Sequence, residues 1–375
     1  MASTDQSHYR VRKDAAKAAF YRVKLDDLEE WIGSMLAATG LSDDDAGLVA
    51  AALVEAEGRG VSSHGVARTR IYSERIRAGL IDAHARPEVV KETAATAHID
   101  AHSAVGPVGG QAGLQAAIDK ATAEGAGVSL VRESNHCGAL AFYVRRATAQ
   151  GLIAIMATNG PAVMVYFGGR TRAVGTNPLG IGVPRSDGPP LVLDMATSAT
   201  ARGRVILAGQ TGQPIPEGWA VDVDGVPTTD AERALQGAVV PFAGPKGSGL
   251  AMMLDLLCGG LAAGITGEQI GDMYEDFEHA QRVSHLVMVL NPDAWLGGDA
   301  FRDHVAKFAA RIGDLPPAEG SEKVYLPGEL EERAWEKATR EGVTLSGHVF
   351  EDLQDLSQEA DVPVPDAEAL AADAQ

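Results

Sequence analysis

The sequence is poor in cysteine and contains no long apolar run. Its two cysteines, Cys137 and Cys258, exclude a disulfide framework and favour a reducing compartment, so we expect a cytoplasmic protein. The most apolar segment, residues 249–265, is interrupted by Asp255 and by glycines, which is typical of a buried helix and not of a membrane span. The N-terminus also lacks the apolar core and the cleavage site of a signal peptide.

Basic residues are scarce as well. The chain has 32 Lys and Arg against 51 Asp and Glu, which gives a formal net charge of -19. Such a field repels polyanions at long range, so we expect no nucleic-acid partner. An anionic substrate would have to be held by local basic groups. A length of 375 residues exceeds one compact core and predicts more than one domain.

The usual nucleotide-binding motifs are missing. No segment matches the Walker pattern, and the nearest match to a Rossmann fingerprint, Gly247, Gly249 and Ala251, has no clear strand leading into it. Lys246 nevertheless precedes a helix that starts with glycines. A cation beside free backbone N–H groups at a helix N-terminus favours a phosphate. A packing helix with small residues for close approach would explain the same pattern.

Secondary-structure signals change along the chain. The first 80 residues have helical spacing, with Ser42 as a predicted N-cap, and a third helix is predicted over about 63–78. From about residue 95, strands and helices alternate, which predicts an α/β fold. After residue 160, glycine and proline indicate short strands and turns, and helical spacing returns after residue 299.

A polar stripe lies in the third predicted helix. His64, Arg68 and Tyr72 are four residues apart, so a helix would place them on one face. The planar guanidinium of Arg68 suits a carboxylate, and His64 can exchange a proton near neutral pH. Together they would suit a small 2-oxo or 2-hydroxy acid. A solvated helix face capped by Ser62 or Ser63 explains the same residues.

His136 is a second candidate, because it follows a predicted strand and precedes a helix. Catalytic groups collect at such positions in α/β proteins, although a histidine there can simply cap the next helix. The adjacent Cys137 has no evident partner base, so we interpret it as structural. The segment 98–102 contains two histidines and an aspartate without a further acidic or cysteine ligand nearby, and we expect no metal site.

Motifs spread along the chain carry a resemblance to one family. They are, in order, SSHGVARTRIY, SNHCGA, FGG followed by GTNPLGIGVP, LDMATS, IPEGWAVDVDGVPTTD, GPKGSGLAMMLDLL and LPGEL. Over residues 23–355, the chain resembles the malate/L-lactate dehydrogenase type 2 family of NAD(P)-dependent oxidoreductases, which are unrelated to Rossmann lactate dehydrogenases. The segments AGPKGSGLAMMLDLLCGGLAAG and MYEDF are most similar to the ureidoglycolate dehydrogenase branch. Other branches act on malate, lactate, sulfolactate, diketogulonate or cyclic imino acids.

The resemblance implies an α/β fold with a helical domain made from both chain ends and a mixed-sheet α/β domain with a non-Rossmann nicotinamide site. This domain organisation places the helical domain at 23–95 plus 300–357 and the α/β domain at 96–299. The composition of the chain ends predicts a flexible leader at 1–22 and an acidic tail at 358–375. The resemblance also implies a homodimer with the active site near the interface. The lack of a long apolar run predicts no membrane partner.

The resemblance assigns roles to individual positions. His136 matches the catalytic base of the ureidoglycolate branch, His64 the proton donor of the diketogulonate branch, and Arg68 the carboxylate-binding residue beside it. The positions that match cofactor contacts are Gly160, Asp194, Met195, Ala196, Lys246, Gly247, Gly328 and Glu329. The carboxylate of Glu329 is expected to accept hydrogen bonds from ribose hydroxyls of NAD or NADP.

These roles predict hydride transfer between NAD(P) and a small 2-hydroxy or 2-oxo carboxylate, with ureidoglycolate as the first candidate substrate. Malate, L-lactate and sulfolactate are the alternatives. Two departures matter: Ser248 stands where the family commonly has tyrosine, and Pro161 stands where the ureidoglycolate branch has a polar residue. Rival hypotheses are a non-catalytic metabolite-binding protein and a thiol or serine enzyme that uses Cys137 or Ser63.

Overall fold

The computed structural model describes residues 20–370, which fold into helices packed around mixed β-sheets. The helices are α1 (Leu25–Ala37), α2 (Asp43–Gly58), α3 (Arg68–Arg77), α4 (Gly106–Glu124), α5 (Ala141–Thr148), α6 (Arg202–Thr211), α7 (Ala231–Gln236), α8 (Pro245–Asp255), α9 (Gly298–Gly313), α10 (Glu329–Glu341) and α11 (Gly347–Ala360). The strands are β1 (Phe20–Val23), β2 (Glu88–Glu92), β3 (Thr96–Asp100), β4 (Ala126–Ser134), β5 (Ile153–Thr158), β6 (Met164–Val165), β7 (Arg172–Val174), β8 (Leu179–Val183), β9 (Leu191–Met195), β10 (Ala220–Val221), β11 (Pro227–Thr228), β12 (Ala238–Val239), β13 (Val283–Leu290), β14 (Val343–Ser346) and β15 (Glu368–Leu370).

The N-terminal helices follow the predicted hydrophobic spacing. The buried face of α1 consists of Leu28, Trp31, Ile32, Met35 and Leu36. The hydroxyl of Ser42 accepts a hydrogen bond from the backbone N–H of Asp45, which confirms the predicted N-cap of α2. These helices share one apolar core with α3, α11 and β14.

A seven-stranded sheet forms the centre of the molecule, in the order β2-β3-β4-β13-β5-β8-β9. Strands β3 and β4 are parallel, and the other neighbouring pairs are antiparallel. Helices α4 and α5 pack on one face, whereas α8 and the π-helical turn that follows it at Leu256–Gly260 pack on the other. The predicted mixed α/β fold is therefore confirmed.

A five-stranded sheet, in the order β11-β10-β12-β6-β7, packs with α6 and α7 around a separate apolar cluster. Strands β10 and β11 are antiparallel and joined through Asp224 and Gly225, where the sequence predicts a turn. Gly225 has a φ of +82°, which a glycine adopts without strain.

The chain ends differ from the expectation. Strand β1 lies between β14 and β15 in an antiparallel sheet, so residues 20–22 belong to no flexible leader. The segment assigned to the acidic tail contains the end of α11 and all of β15, because backbone pairing with β1 holds it. Residues 1–19 and 371–375, which include the rest of both predictions, lie outside the described residues.

The predicted boundaries of the helical domain also require correction. Strand β2 pairs with β3, so the central sheet begins before residue 95. Helix α9, expected in the helical domain, lies against the α/β part: the carbonyl oxygen of Arg302 accepts a hydrogen bond from the backbone N–H of Ser186. The helical spacing that returns after residue 299 is confirmed by α9, but a hydrophobic period contains no information about packing partners.

Candidate active site

The segment that carries His64 is not part of a helix with Arg68. His64 ends a short 3₁₀ turn at Ser62–His64, Gly65 is extended, and α3 starts only at Arg68. The buried carboxylate of Glu57 accepts a hydrogen bond from the backbone N–H of Val66 at 3.0 Å. A Cβ on Gly65 would lie 1.9 Å from that carboxylate, so the close approach depends on the glycine. The predicted helix over 63–78 is therefore wrong in its first turn.

His64, Arg68, Tyr72 and His136 nevertheless meet in one place. The two imidazole rings are stacked, with centroids 5.4 Å apart and planes inclined by 23°. The hydroxyl of Tyr72 lies 2.6 Å from Nδ1 of His136. The Nε of Arg68 donates to the carbonyl oxygen of Ser63 at 2.8 Å, which ties α3 to the turn that holds His64.

The loop that carries His136 is held by several hydrogen bonds. The side-chain amide of Asn135 donates to the carbonyl oxygens of Ser103 and Ala104. The backbone N–H of His136 donates to Oε1 of Gln281 at 3.1 Å. A Cβ on Gly106 would lie 2.0 Å from the carbonyl oxygen of His136, so the N-terminus of α4 packs directly against this loop. These contacts fix the backbone that carries the imidazole of His136.

The electrostatic environment keeps both histidines neutral at pH 7. Burial, reinforced by the charge of Arg68, lowers the pKa of His64 to about 4. Burial, with His64, Arg68 and His285, lowers the pKa of His136 well below its ordinary value. Burial also raises the pKa of Tyr72, which keeps its hydroxyl protonated. The site therefore offers neutral imidazoles as proton acceptors beside one guanidinium.

The guanidinium of Arg68 is framed by residues from distant parts of the chain. Its central carbon lies 5.2 Å from the ring centroid of Tyr274. A Cβ on Gly203, in the first turn of α6, would lie 3.8 Å from its Nη2. The loop that carries Tyr274 is in turn held by the fully buried Arg75, which donates to the carbonyl oxygens of Met273, Asp276 and His279.

The expected cofactor residues at the end of β9 lie beside the loop of His136. Oδ2 of Asp194 accepts a hydrogen bond from the backbone N–H of Ala141 at 2.8 Å. Desolvation raises the pKa of Asp194 to about 6, although this N–H opposes the shift. Met195 and Ala196 follow directly and are half-buried. The segment from His136 to Ala141 thus joins the histidines to the end of β9.

Lys246 and Gly247 lie in the first turn of α8, next to the same strand end. The carbonyl oxygen of Thr197 accepts from Phe242 N–H, and the carbonyl oxygen of Phe242 accepts from Gly247 N–H, both at 3.1 Å. A Cβ on Gly247 would lie 2.4 Å from the carbonyl oxygen of Phe242, so this glycine serves close packing. Lys246 is exposed.

Gly160 joins the same group through Asn177, whose Oδ1 accepts its backbone N–H at 3.0 Å. Gly328 lies against the middle of β9, where a Cβ would be 3.1 Å from Val192. Glu329 differs from the expectation. Its carboxylate already accepts from the ammonium of Lys323 and from the backbone N–H of Leu326, so it braces the loop before α10.

The start of α8 has the features of a phosphate-binding helix N-terminus. Gly244, at the N-cap of α8, provides no side-chain cap, and the cation of Lys246 lies beside this terminus, which suits phosphate. Gly328 lets the loop before α10 pack against the middle of β9. Among the described residues, no group of three or more histidine, cysteine or acidic side chains is arranged to hold a metal ion.

Sequence reasoning missed several supporting residues. Glu57, Gly106 and Gln281 have no local pattern that marks them, because each acts on a segment distant in the chain. His285 is fully buried between the hydroxyls of Thr158 and Ser134, within an otherwise apolar strand. A histidine inside an apolar strand was the one signal available. Cys137 is buried with its thiol pKa raised to about 12, in agreement with a structural role.

Comparison with known proteins decides the family. A family model described as malate/L-lactate dehydrogenase matches residues 23–354. The chain belongs to the malate/L-lactate dehydrogenase family. It is 33% identical to ureidoglycolate dehydrogenase (NAD(+)) of Escherichia coli strain K12 over 332 residues, 88% of this chain and 95% of that protein. It is also 33% identical to the (2R)-3-sulfolactate dehydrogenase (NADP(+)) of Chromohalobacter salexigens, over 88% of this chain and 97% of that protein.

A solved structure of this family supports the same conclusion. Malate dehydrogenase from Pyrococcus horikoshii OT3 superposes with a TM-score of 0.85 at 30% identity, over 92% of this chain and 97% of that one. Within the dehydrogenase fold, Ser248 is buried, and its hydroxyl accepts from Phe167 N–H at 2.9 Å. The small side chain therefore ties the loop at 166–169 to α8. Within residues 20–370, no helix is long and apolar enough to span a bilayer.

Proposed function

We propose that this dehydrogenase transfers a hydride between NAD(P) and C2 of a small 2-hydroxy or 2-oxo carboxylate. Family membership supports the reaction class. The observation that supports the proposed proton transfer is the stacked pair of neutral histidines beside Arg68. Proton acceptors next to a carboxylate-binding cation are what oxidation of a 2-hydroxy acid requires.

In this mechanism, Arg68 fixes the substrate carboxylate through parallel hydrogen bonds and so orients C2. His136 accepts the proton of the substrate hydroxyl, and His64 hydrogen-bonds the same oxygen. The charge of Arg68 contributes to the low pKa of both imidazoles. A bound carboxylate neutralises that charge, so it raises the basicity of His136 when the substrate is in place.

The cofactor site comprises the end of β9 with Asp194, Met195 and Ala196, together with Gly160, Gly328 and the first turn of α8. Lys246 would hold a phosphate, and Asp194 would hydrogen-bond the end of the dinucleotide nearest the histidines. When bound, the nicotinamide ring supplies the acceptor or donor of the hydride. Glu329 positions the loop that presents Gly328.

Ureidoglycolate is the first substrate that we propose, with malate, L-lactate and sulfolactate as alternatives. The ureidoglycolate and sulfolactate dehydrogenases named above have the same identity to this chain, and Pro161 departs from the ureidoglycolate branch. The test is a panel of S-ureidoglycolate, L-malate, L-lactate and sulfolactate with each cofactor, followed by absorbance of the reduced nicotinamide. No turnover, with no fluorescence change of a nicotinamide on titration, would contradict the proposal.

The roles of the histidines are tested separately. His136→Ala is expected to lower turnover by about 100-fold or more, which is the usual contribution of a general base. His64→Ala is expected to have a smaller effect. Near-normal turnover in both variants would contradict this mechanism, because no proton acceptor would then be required at either position.

We also propose a homodimer with the active site near its interface. Helix α8 and the turn after it expose an apolar stripe, Met252, Met253, Leu256, Leu257 and Leu261, with exposed fractions of 43% to 63%. A monomer rarely leaves such a stripe in water. Met253→Lys with Leu257→Lys should yield monomers in analytical ultracentrifugation, whereas Val223→Lys, on an exposed hairpin, should not. An unchanged mass in the double variant would reject this interface.

A cytoplasmic location is our proposal from the cysteines, both of which are buried and unpaired. Fractionation of cells that express the tagged protein tests it. Recovery in an extracytoplasmic fraction would contradict this proposal.

A further inference from the structure

The hydroxyl of Tyr72 touches His136 at two atoms. It lies 2.6 Å from the ring Nδ1 and 3.1 Å from the backbone carbonyl oxygen of the same residue. Tyr72 is 2% exposed, and it reaches across a sequence separation of 64 residues from α3. A contact of this kind does not arise from a packing role alone, because a buried phenylalanine would fill the same space without a polar atom at the imidazole.

The positions of the hydrogens between Tyr72 and His136 follow from counting hydrogen-bond donors and acceptors. A tyrosine hydroxyl has one hydrogen to donate, and a carbonyl oxygen can only accept. If the hydroxyl donates to the carbonyl oxygen of His136, then its own oxygen accepts from the ring, and Nδ1 must carry the hydrogen. Both contacts are satisfied in this arrangement. If the hydroxyl donated to Nδ1 instead, it would have no hydrogen left for the carbonyl oxygen at 3.1 Å.

We propose that Tyr72 is a positioning residue that holds His136 in its Nδ1–H tautomer, so that Nε2 has a free lone pair for the substrate proton. This inference rests on the proposed function, in which His136 is the base. It assigns a task to a tyrosine whose place in the motif SSHGVARTRIY otherwise suggests only packing. The partner that orients the imidazole is then neutral, whereas in many enzymes it is a carboxylate.

Because Tyr72 is neutral, it affects the basicity of His136 differently from a carboxylate partner. The groups that face His136 from the elements around it are His64 on the 3₁₀ turn, Arg68 and Tyr72 on α3, and His285 on β13. None of them is an anion. Among the described residues around the ring, the hydroxyl of Tyr72 is the group that stabilises the imidazolium formed in catalysis. The substrate carboxylate on Arg68 adds to this stabilisation, which makes the base effective when substrate is bound.

The test is Tyr72→Phe in the full-length enzyme with the best substrate of the panel. We expect kcat for oxidation to fall about 10- to 100-fold with little change in KM, because the ring loses its orientation and part of its population adopts the wrong tautomer. The hydrogen bond from Nδ1–H strengthens when the ring is charged. Its loss should therefore move the acidic limb of the pH profile of kcat/KM to lower pH.

Tyr143→Phe is the matched control. Tyr143 is equally buried, and its hydroxyl donates at 2.6 Å to the carbonyl oxygen of Cys137, the residue after His136. This variant removes a similar bond from the same loop without touching the imidazole. It should leave kcat within about threefold of the wild type and leave the acidic limb in place, since the base keeps its orientation.

Ring ¹⁵N NMR provides a readout that does not depend on turnover. In the wild type, the His136 signals should be those of an Nδ1–H tautomer, and Tyr72→Phe should shift them towards a mixture. An Nε2–H tautomer in the wild type, or an acidic limb that moves to higher pH in Tyr72→Phe, would overturn the proposal. If His136→Ala retains full turnover, His136 is not the base and the proposed function is contradicted at this point. The ring ¹⁵N signals of the wild type still decide whether Tyr72 holds the Nδ1–H tautomer.

Discussion

The two sides of the proposed active site are built in different ways. The substrate side consists of side chains, His64, Arg68, Tyr72 and His136, brought together from separate segments and linked by short hydrogen bonds. The proposed cofactor side consists mainly of backbone, where Gly247 and Gly328 allow chain segments to approach closely. Proton transfer needs particular functional groups at fixed positions, whereas a long ligand needs an accessible surface. Substitutions should therefore affect kcat on one side and cofactor KM on the other.

Among the substitutions that compare the two sides, Arg68→Lys is expected to have the largest effect. An ammonium cannot make the two parallel hydrogen bonds of a guanidinium, and a lost bond to a charged group lowers kcat/KM by about 100-fold. Arg70→Lys, on the same helix but paired with Asp352 and Glu359, is the control and should change little. Steady-state kinetics measures both. Equal effects of the two variants would show that Arg68 acts only in folding.

Gly106→Ala should have the next largest effect. The added methyl group would overlap the carbonyl oxygen of His136, so the loop must move and the imidazole with it. A displacement of this size lowers kcat by about 10- to 100-fold. Gly47→Ala is the control, because nothing lies within 4 Å of its Cβ position. If Gly106→Ala raised only the KM for the cofactor, the division between the two sides would be wrong.

Gly328→Ala tests the cofactor side. A φ of +84° and the contact with Val192 at 3.1 Å make an alanine cost about 1 kcal/mol or more, which should raise the KM for the cofactor by about five- to tenfold. Gly320→Ala has a similar φ of +82° without a neighbour within 4 Å. It should lower stability alone. An unchanged KM for the cofactor in Gly328→Ala would contradict the assignment of this glycine to the cofactor site.

The smallest effect concerns the free energy of unfolding as a function of pH, to which His285, behind the substrate side, and Asp194, on the proposed cofactor side, contribute with opposite signs. Burial lowers the pKa of His285 to about 3 from an ordinary value of 6.5, so the unfolded chain binds more protons in this window. The free energy of unfolding should fall by about 1 kcal/mol between pH 7 and pH 5.5 for this group. Urea titrations at several pH values measure the free energy of unfolding of the wild type and of His285→Asn. This free energy should depend less steeply on pH in the variant.

Asp194 should act in the other direction. Asp194 is exposed at the surface, but its folded pKa of about 6 lies above the ordinary value of 3.8. The penalty on its charged form in the folded state therefore falls as the pH falls through 6. Asp194→Asn should therefore stabilise the protein more at pH 7.5 than at pH 5. The same gain at both pH values would show that the carboxylate is not desolvated.

Local patterns determined much of this protein. The spacing of Leu28, Ile32 and Leu36 and the cap at Ser42 determine α1 and α2, because helix period and capping depend on neighbours within a few residues. The ordered motifs determine the family and predict catalytic roles for Arg68 and His136.

Only the tertiary structure decided how these pieces work together. It placed β13 between β4 and β5, paired the two chain ends through β1, and broke the expected helix at Gly65 because of Glu57. It also brought the hydroxyl of Tyr72 to His136. Strand pairing, a buried carboxylate and a hydrogen bond across distant segments depend on which surfaces meet after the chain has folded, and no local period contains that information.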